Sequence, residues 1–209
     1  MWSRIIAVSL ILFLIPVFLL IVIGIKLTSP GPVIYKAKRI GFDGRMFTLY
    51  KFRSMVVDAP MLVNGDFKTL VTTHDKRLTP IGRILRHGFD ELPQLFNILK
   101  GDMHFIGPRP DPDWMLKHYT PTIRQRLAVL PGITGLAQIC ESSPPLKTAV
   151  GYALDLYYLE NKTWVFDLWI IFSTLLYVLG LRFMGKRFSQ RFYRHSKMDF
   201  TAFEPRVIP

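Results

Sequence analysis

Hydrophobic positions fall into three kinds of run along this chain. The first is continuous. From Ile5 to Ile25 there are 21 residues without a charge, with Arg4 before them and Lys26 after. About 20 apolar residues cross a bilayer as a helix, so residues 1–28 are predicted to be a membrane anchor. The run is long for a signal peptide, and no small-x-small cleavage site follows it. Pro16 divides it into halves of about ten residues, or roughly 15 Å of helix each, the depth of one leaflet. A hairpin that enters and leaves on one face and a spanning helix with a tolerated proline are both compatible with that pattern.

The second kind is short and strand-like. Val33 to Arg39 and Met46 to Phe52 flank Gly41-Phe42-Asp43-Gly44, after a linker at Thr28-Ser29-Pro30-Gly31-Pro32. These segments predict a small β-hairpin. Lys51 and Arg53 share one face of its second strand, either as a solvated edge or as contacts for an anion.

The third kind has helical spacing. Leu92, Leu95, Phe96 and Leu99 recur at that period, and Gly101 stops the run. Pro93 fits a first helical turn, where its missing N–H costs nothing. Asp90 and Glu91 are thus predicted at the N-terminus of a short amphipathic helix. Unpaired N–H groups and the helix dipole there suit a carboxylate or a phosphate. As residues alone, they are equally an N-cap and a first-turn acid.

Other helices follow from similar signals. Thr79-Pro80 opens one to about His87, ended by Gly88, with Arg83 and Arg86 one turn apart. Thr120-Pro121 opens another to about Leu130, and Pro131 to Gly135 reads as a turn. Thr148 to Asn161 is a further helix. Trp164 to Leu181 is apolar and aromatic, with about fourteen residues clear of charge after Asp167. That is short for a span and suits a core or interfacial helix. Asp58 to Asp75 is polar, with Pro60 and Asn64-Gly65, and predicts a loop that could act as a lid. The fold class is therefore α+β and mainly helical.

Charge sharpens the anchor reading. The formal net charge is +12, half of the residues are hydrophobic, and mean hydropathy is +0.25. A basic chain implies an anionic partner, and its hydrophobicity favours a membrane surface over nucleic acid. The tail 186–209 carries Lys186, Arg187, Arg191, Arg194 and Lys197, either solvated or resting on anionic lipid. Cys140 is the only cysteine, so no intrachain disulfide forms. No His-Glu-x-x-His or Cys-x-x-Cys spacing points to zinc, and no P-loop or Gly-x-Gly-x-x-Gly fingerprint holds a nucleotide.

One stretch carries more than packing requires: Asp90-Glu91-Leu92-Pro93-Gln94-Leu95, Asn97, Lys100-Gly101-Asp102-Met103, then Gly107-Pro108-Arg109-Pro110. With Tyr50-Lys51-Phe52-Arg53-Ser54-Met55 upstream and Pro131-Gly132-Ile133-Thr134-Gly135-Leu136-Ala137-Gln138 downstream, it closely resembles the bacterial sugar transferases. These are monotopic phosphoglycosyl transferases, and the resemblance spans roughly residues 4 to 180. It implies a re-entrant membrane helix broken at Pro16, a catalytic domain over 29–185, and amphipathic interfacial helices. It also implies transfer of a phosphosugar from a UDP-sugar to polyprenyl (undecaprenyl) phosphate on the cytoplasmic face of the bacterial inner membrane. Asp90 would be the nucleophile and Glu91 its acidic partner and a ligand of Mg²⁺. Lys51, Arg86, Arg109 and Pro110 would bind substrate. A homodimer is left open.

The chain departs from the family at three places. Ile15 stands where Ser often precedes the anchor proline. Arg86-His87-Gly88-Phe89 is one residue shorter than the usual Arg-to-acid spacing. Ile139-Cys140-Glu141-Ser142-Ser143-Pro144-Pro145 replaces Val-Asn-Gly-Arg. Two rivals remain: a membrane-anchored phosphatase or diphosphate hydrolase using the same aspartate, and a non-enzymatic basic peripheral membrane protein.

Overall fold

The apolar N-terminal run forms one helix, α1 (Trp2–Thr28), in the computed structural model. The structure describes residues 2–67, 75–141, 147–181, 183–195 and 200–204. A break was expected at Pro16, but the proline lies inside a continuous helix. It removes one backbone donor, and the turns on either side remain helical. One stripe of α1 explains why. Ala7, Ile21 and Ile25 are buried, and Ile11, Leu14, Val17 and Phe18 are partly buried at helical spacing between them. The stripe crosses Pro16 without a change of phase. On the other face Leu12, Phe13, Leu19, Leu20 and Ile23 are exposed.

The chain divides into two compact units, residues 1–38 with 48–102, and residues 39–47 with 103–209. The predicted hairpin is present as an antiparallel pair, β1 (Ile34–Ile40) and β2 (Met46–Phe52). Its turn is tight because Asp43 and Gly44 both adopt positive φ, 53° and 74°.

The first unit adds α2 (Pro80–Leu85), a 3₁₀ turn at Phe89–Glu91, and α3 (Gln94–Lys100). Its core joins Ile21 and Ile25 of α1 to Phe52 of β2 and Leu85 of α2. Phe18 packs its ring 5.5 Å from Phe52 and 6.2 Å from Phe96. Thr79 caps α2 as expected, its Oγ1 accepting from the Gly82 N–H at 3.0 Å. The polar segment after Asp58 is closed at its neck by a Met55–Leu78 bridge. There Arg77 forks onto Asp75 and donates to the Pro60 carbonyl at 2.5 Å. Residues 68–74 of that candidate lid lie outside the described residues.

In the second unit, β3 (His104–Ile106) runs parallel to β4 (Gly132–Thr134). Pro131 to Gly135 was expected as a turn and nothing was assigned to His104–Ile106, because three-residue strands carry no visible period. α4 (Pro121–Arg124) tightens into 3₁₀ geometry over Gln125–Ala128. α5 (Leu136–Cys140), α6 (Thr148–Glu160), α7 (Trp164–Val178) and α8 (Phe183–His195) follow. α7 packs Phe166 and Trp169 against Phe188 of α8, while Trp164, Leu168, Phe172 and Leu175 are exposed. Asp167, which interrupts its apolar run, accepts a hydrogen bond from the Tyr158 hydroxyl at 2.6 Å. Part of the basic tail is thus helical, in α8. Lys197, and residues 142–146 of the divergent loop, lie outside the described residues.

Candidate active site

Asp90 and Glu91 sit one turn upstream of where the sequence placed them. They occupy the 3₁₀ turn, whose N-cap Gly88 has φ 111°, a conformation that disfavours a side chain. Pro93 caps α3 and has no N–H, so the 3₁₀ turn and α3 are not fused into one helix. Asp90 is buried, at 8% exposure, and Glu91 is partly exposed.

Lys51 on β2 meets this turn. Its Nζ donates to Glu91 Oε1 at 2.6 Å, with the two side chains 15% and 19% exposed. Lys51 thus holds the acid beside the buried Asp90. Arg53, two positions on, has a different role from the anion contact considered above. It is buried, and its two Nη groups donate to the carbonyls of Ser29 and Pro30 at 2.8 and 2.5 Å. It therefore satisfies backbone at the end of α1.

Asn97 explains how β2 and α3 are held in register. Its Nδ2 donates to the Thr48 carbonyl at 2.7 Å, and its Oδ1 accepts from the Tyr50 N–H at 3.1 Å. The side-chain amide bonds the strand edge as a neighbouring strand would. That fixes the strand bearing Lys51 against the helix that follows the acidic pair. The buried positions of α3 are consequently Gln94, Leu95, Asn97 and Ile98, while Phe96 is exposed. Lys100, at the end of α3, donates to the Tyr50 hydroxyl at 2.5 Å and lies 4.5 Å over its ring. Arg86 caps the C-terminus of α2 and is exposed. Its charge helps Arg77 to lower the Asp75 carboxyl to about 2, hydrogen bonds from Arg77 being the main cause.

Arg109 and Pro110 belong to the second unit. Arg109 is exposed in the Pro108–Pro110 turn, beneath which lies a buried ionic network. Arg126 is its centre, paired with Asp155 at 2.7 Å and Asp111 at 2.6 Å. Burial pushes the Asp155 carboxyl up to about 6 against the pull of Arg126. Burial also drives the Cys140 thiol up to about 12, so that sulfur is no nucleophile near neutral pH.

Sequence reasoning assigned no role to Asn97 or to the Arg126 network. An amide on the buried face of a short helix is a signal for the first. No spacing marks the second, whose partners lie 15 and 29 residues apart.

The comparisons with known proteins agree with the motif. A family model described as "Bacterial sugar transferase" matches residues 1–180. The chain is 40% identical over 191 residues to a UDP-glucose:undecaprenyl-phosphate glucose-1-phosphate transferase of Xanthomonas campestris, covering 85% of this chain and 38% of that protein. It is 40% identical to the exopolysaccharide production protein PSS of Rhizobium leguminosarum, covering 81% of this chain and 89% of that one. An Escherichia coli relative, also named a UDP-glucose:undecaprenyl-phosphate glucose-1-phosphate transferase, is 39% identical, again over 38% of its length. The chain thus spans under two-fifths of two of these relatives and most of the third. With the acidic pair, its lysine and the Pro-Arg-Pro turn inside the matched region, this chain belongs to the bacterial sugar transferase family.

Proposed function

We propose that this protein transfers a phosphosugar from a UDP-sugar to a polyprenyl phosphate such as undecaprenyl phosphate. The products are a polyprenyl diphosphate sugar and UMP. The observation that carries the reading is the buried Asp90 beside a Glu91 that Lys51 holds at 2.6 Å. In the first step an Asp90 carboxylate oxygen attacks the phosphorus bearing the sugar. The bond from that phosphorus to the UMP oxygen breaks, and UMP leaves with the electron pair. In the second, an oxygen of polyprenyl phosphate attacks the same phosphorus and Asp90 is released. Two steps spare the enzyme from holding two polyanions together at the moment of transfer. Lys51 and Arg86 neutralise phosphate charge, and Arg109 reads a phosphate with its planar fork.

The donor set suits magnesium. Among the described residues no three carboxylate, imidazole or thiolate side chains converge. Asp90 and Glu91 offer hard oxygens, too few for a closed cage, and Mg²⁺ is commonly held by one or two carboxylates together with substrate phosphates. Glu91 would be its ligand, and the ion would offset charge on the phosphates.

The membrane reading is a one-faced anchor at the cytoplasmic side of the inner membrane. Both ends of α1 touch the first unit. A Cβ at Gly101, the C-cap of α3, would lie 2.5 Å from Arg4 Nη2, and Ile25 is buried against Phe52 and Leu85. About 32 Å of helix separates Arg4 from Ile25, the thickness of the hydrocarbon core. A helix crossing straight through would carry one of those ends to the far side. Cysteines placed at Trp2 and Thr28 in a Cys140→Ser background should be labelled from the same face; labelling from opposite faces would sink this topology.

The chemical test uses donor alone. Incubated with UDP-glucose, UDP-galactose or UDP-N-acetylgalactosamine, the protein should gain the mass of one phosphosugar on the peptide containing Asp90 and release UMP. Sugar phosphate freed continuously without polyprenyl phosphate would instead identify a hydrolase.

A further inference from the structure

Arg126 is buried in the second unit at 4% exposure. A guanidinium has five N–H donors in a fixed plane, and burial makes each one costly to leave unmet. Here all five have acceptors. Nε and one Nη2 hydrogen go to Asp155 Oδ2, at 3.1 and 2.7 Å. Nη1 reaches Asp111 Oδ2 at 2.6 Å and the Tyr119 hydroxyl at 2.8 Å. The fifth hydrogen, on Nη2, goes to the carbonyl of Arg109 at 2.7 Å. The hydroxyls of Tyr119 and Tyr152 donate to the same Asp111 oxygen, at 2.5 and 2.8 Å. The guanidinium carbon lies 4.8 Å from the centre of the Tyr152 ring.

Two carboxylates already exceed the charge of one guanidinium, so charge balance does not require the bond to Arg109. What that bond does is geometric. The Pro108 carbonyl, in the peptide plane before Arg109, accepts from the Gly132 N–H at 3.0 Å. The Arg109 carbonyl, in the plane after it, accepts from Arg126. Both planes flanking Arg109 are therefore held, and with them its φ and ψ. Proline rings on either side further narrow the backbone. The Cα–Cβ direction of Arg109 is fixed, although its side chain is exposed.

We propose that Arg126 is a positioning residue: by holding the Arg109 carbonyl it sets the direction in which Arg109 presents its guanidinium to a substrate phosphate. This rests on the reading of Arg109 as a phosphate contact. Lysine at position 126 keeps the charge but has no planar fork, so it cannot serve both carboxylates and the carbonyl.

The test is a double-mutant cycle on the full chain, read as kcat/KM for UMP release. The donor is whichever of UDP-glucose, UDP-galactose and UDP-N-acetylgalactosamine the wild-type chain turns over, with undecaprenyl phosphate as acceptor. Misplacing a binding group by about an ångström costs on the order of 10²-fold, and Arg126→Lys should lose about that much. In an Arg109→Ala background the same change should cost almost nothing further, because the group it positions is gone. Losses that add across the cycle would overturn the proposal and leave Arg126 a general scaffold residue. An Arg109→Ala protein with unchanged kcat/KM would remove the phosphate reading of Arg109 and this proposal with it, so the two failures are told apart by that single variant. Should Arg126→Lys not fold, Tyr119→Phe removes only the hydroxyl bridging Nη1 and Asp111. Its smaller loss must likewise vanish when Arg109 is alanine, and persistence there would overturn the proposal.

Discussion

Two ionic clusters in this molecule have bonds of similar length and differ in how deeply their cations are buried. Lys51 meets Glu91 at 2.6 Å at a partly open edge of the first unit. In the second, the buried Arg126 meets the equally buried Asp155 at 2.7 Å and the partly exposed Asp111 at 2.6 Å, with every donor used. The difference lies in what each can release. Water reaches both partners of the first pair, which are 15% and 19% exposed, and can offset part of the loss when the pair separates. Emptying one partner from the second leaves an uncompensated buried charge, at about 3–5 kcal/mol. A site that must exchange its contacts for substrate is built like the first. A support that must not move is built like the second.

The sharpest way to break this comparison is to remove one acid or base from each. Asp90→Asn should reduce turnover by on the order of 10⁴-fold or more, the scale seen when a nucleophile is removed, while the melting temperature stays near wild type. Arg126→Ala should instead show its largest effect in stability, lowering it by about 3–5 kcal/mol in a denaturant melt. If Asp90→Asn unfolds the protein, or Arg126→Ala melts like wild type, the division into a working edge and a rigid support is wrong.

The same contrast separates what could be read from the sequence. The long apolar N-terminal helix, the hairpin, the helices opened by Thr-Pro and the acidic pair were legible because each has a local cause: a charge-free run, a Gly-rich turn, a cap, a glycine stop. The motif also pointed to Lys51, which the structure brings to Glu91 across 40 residues of chain. Pairing at that range is invisible to periodicity, and here it came from resemblance. Three features were misjudged for physical reasons. α1 runs through Pro16 because its packed stripe continues on both sides. Arg53 looked like a partner of Lys51 on a strand face, yet it turns to two carbonyls at the end of α1. The buried face of α3 includes Gln94 and Asn97, which a count of apolar residues passes over, while the exposed Phe96 keeps an edge contact with Phe18. An amide can be buried when both its ends are bonded, and no hydropathy pattern reports that.

The smallest expected effect tests the buried network through pH. Asp155 faces Arg126 directly, with Asp111, Tyr119 and Tyr152 in the same cluster. Its carboxyl is pushed up to about 6, burial being the largest cause. An unfolded aspartate titrates near 3.9. Between those two values the folded protein keeps a proton that the unfolded chain has lost. The stability from this group is therefore complete below about pH 4, falls as pH rises through 6, and is flat above. The shift of about two pH units corresponds to at most about 3 kcal/mol. Other carboxylates act in the opposite sense, Asp75 among them, since Arg77 lowers it to about 2. The informative quantity is thus the difference between wild type and Asp155→Asn, measured in urea melts from pH 4 to pH 7. Asparagine cannot titrate, so the variant should gain on wild type as pH rises to 6, and the gap should then stop changing. A gap that stays constant over that range would mean that Asp155 is ionised throughout and that Arg126 outweighs the burial of its partner.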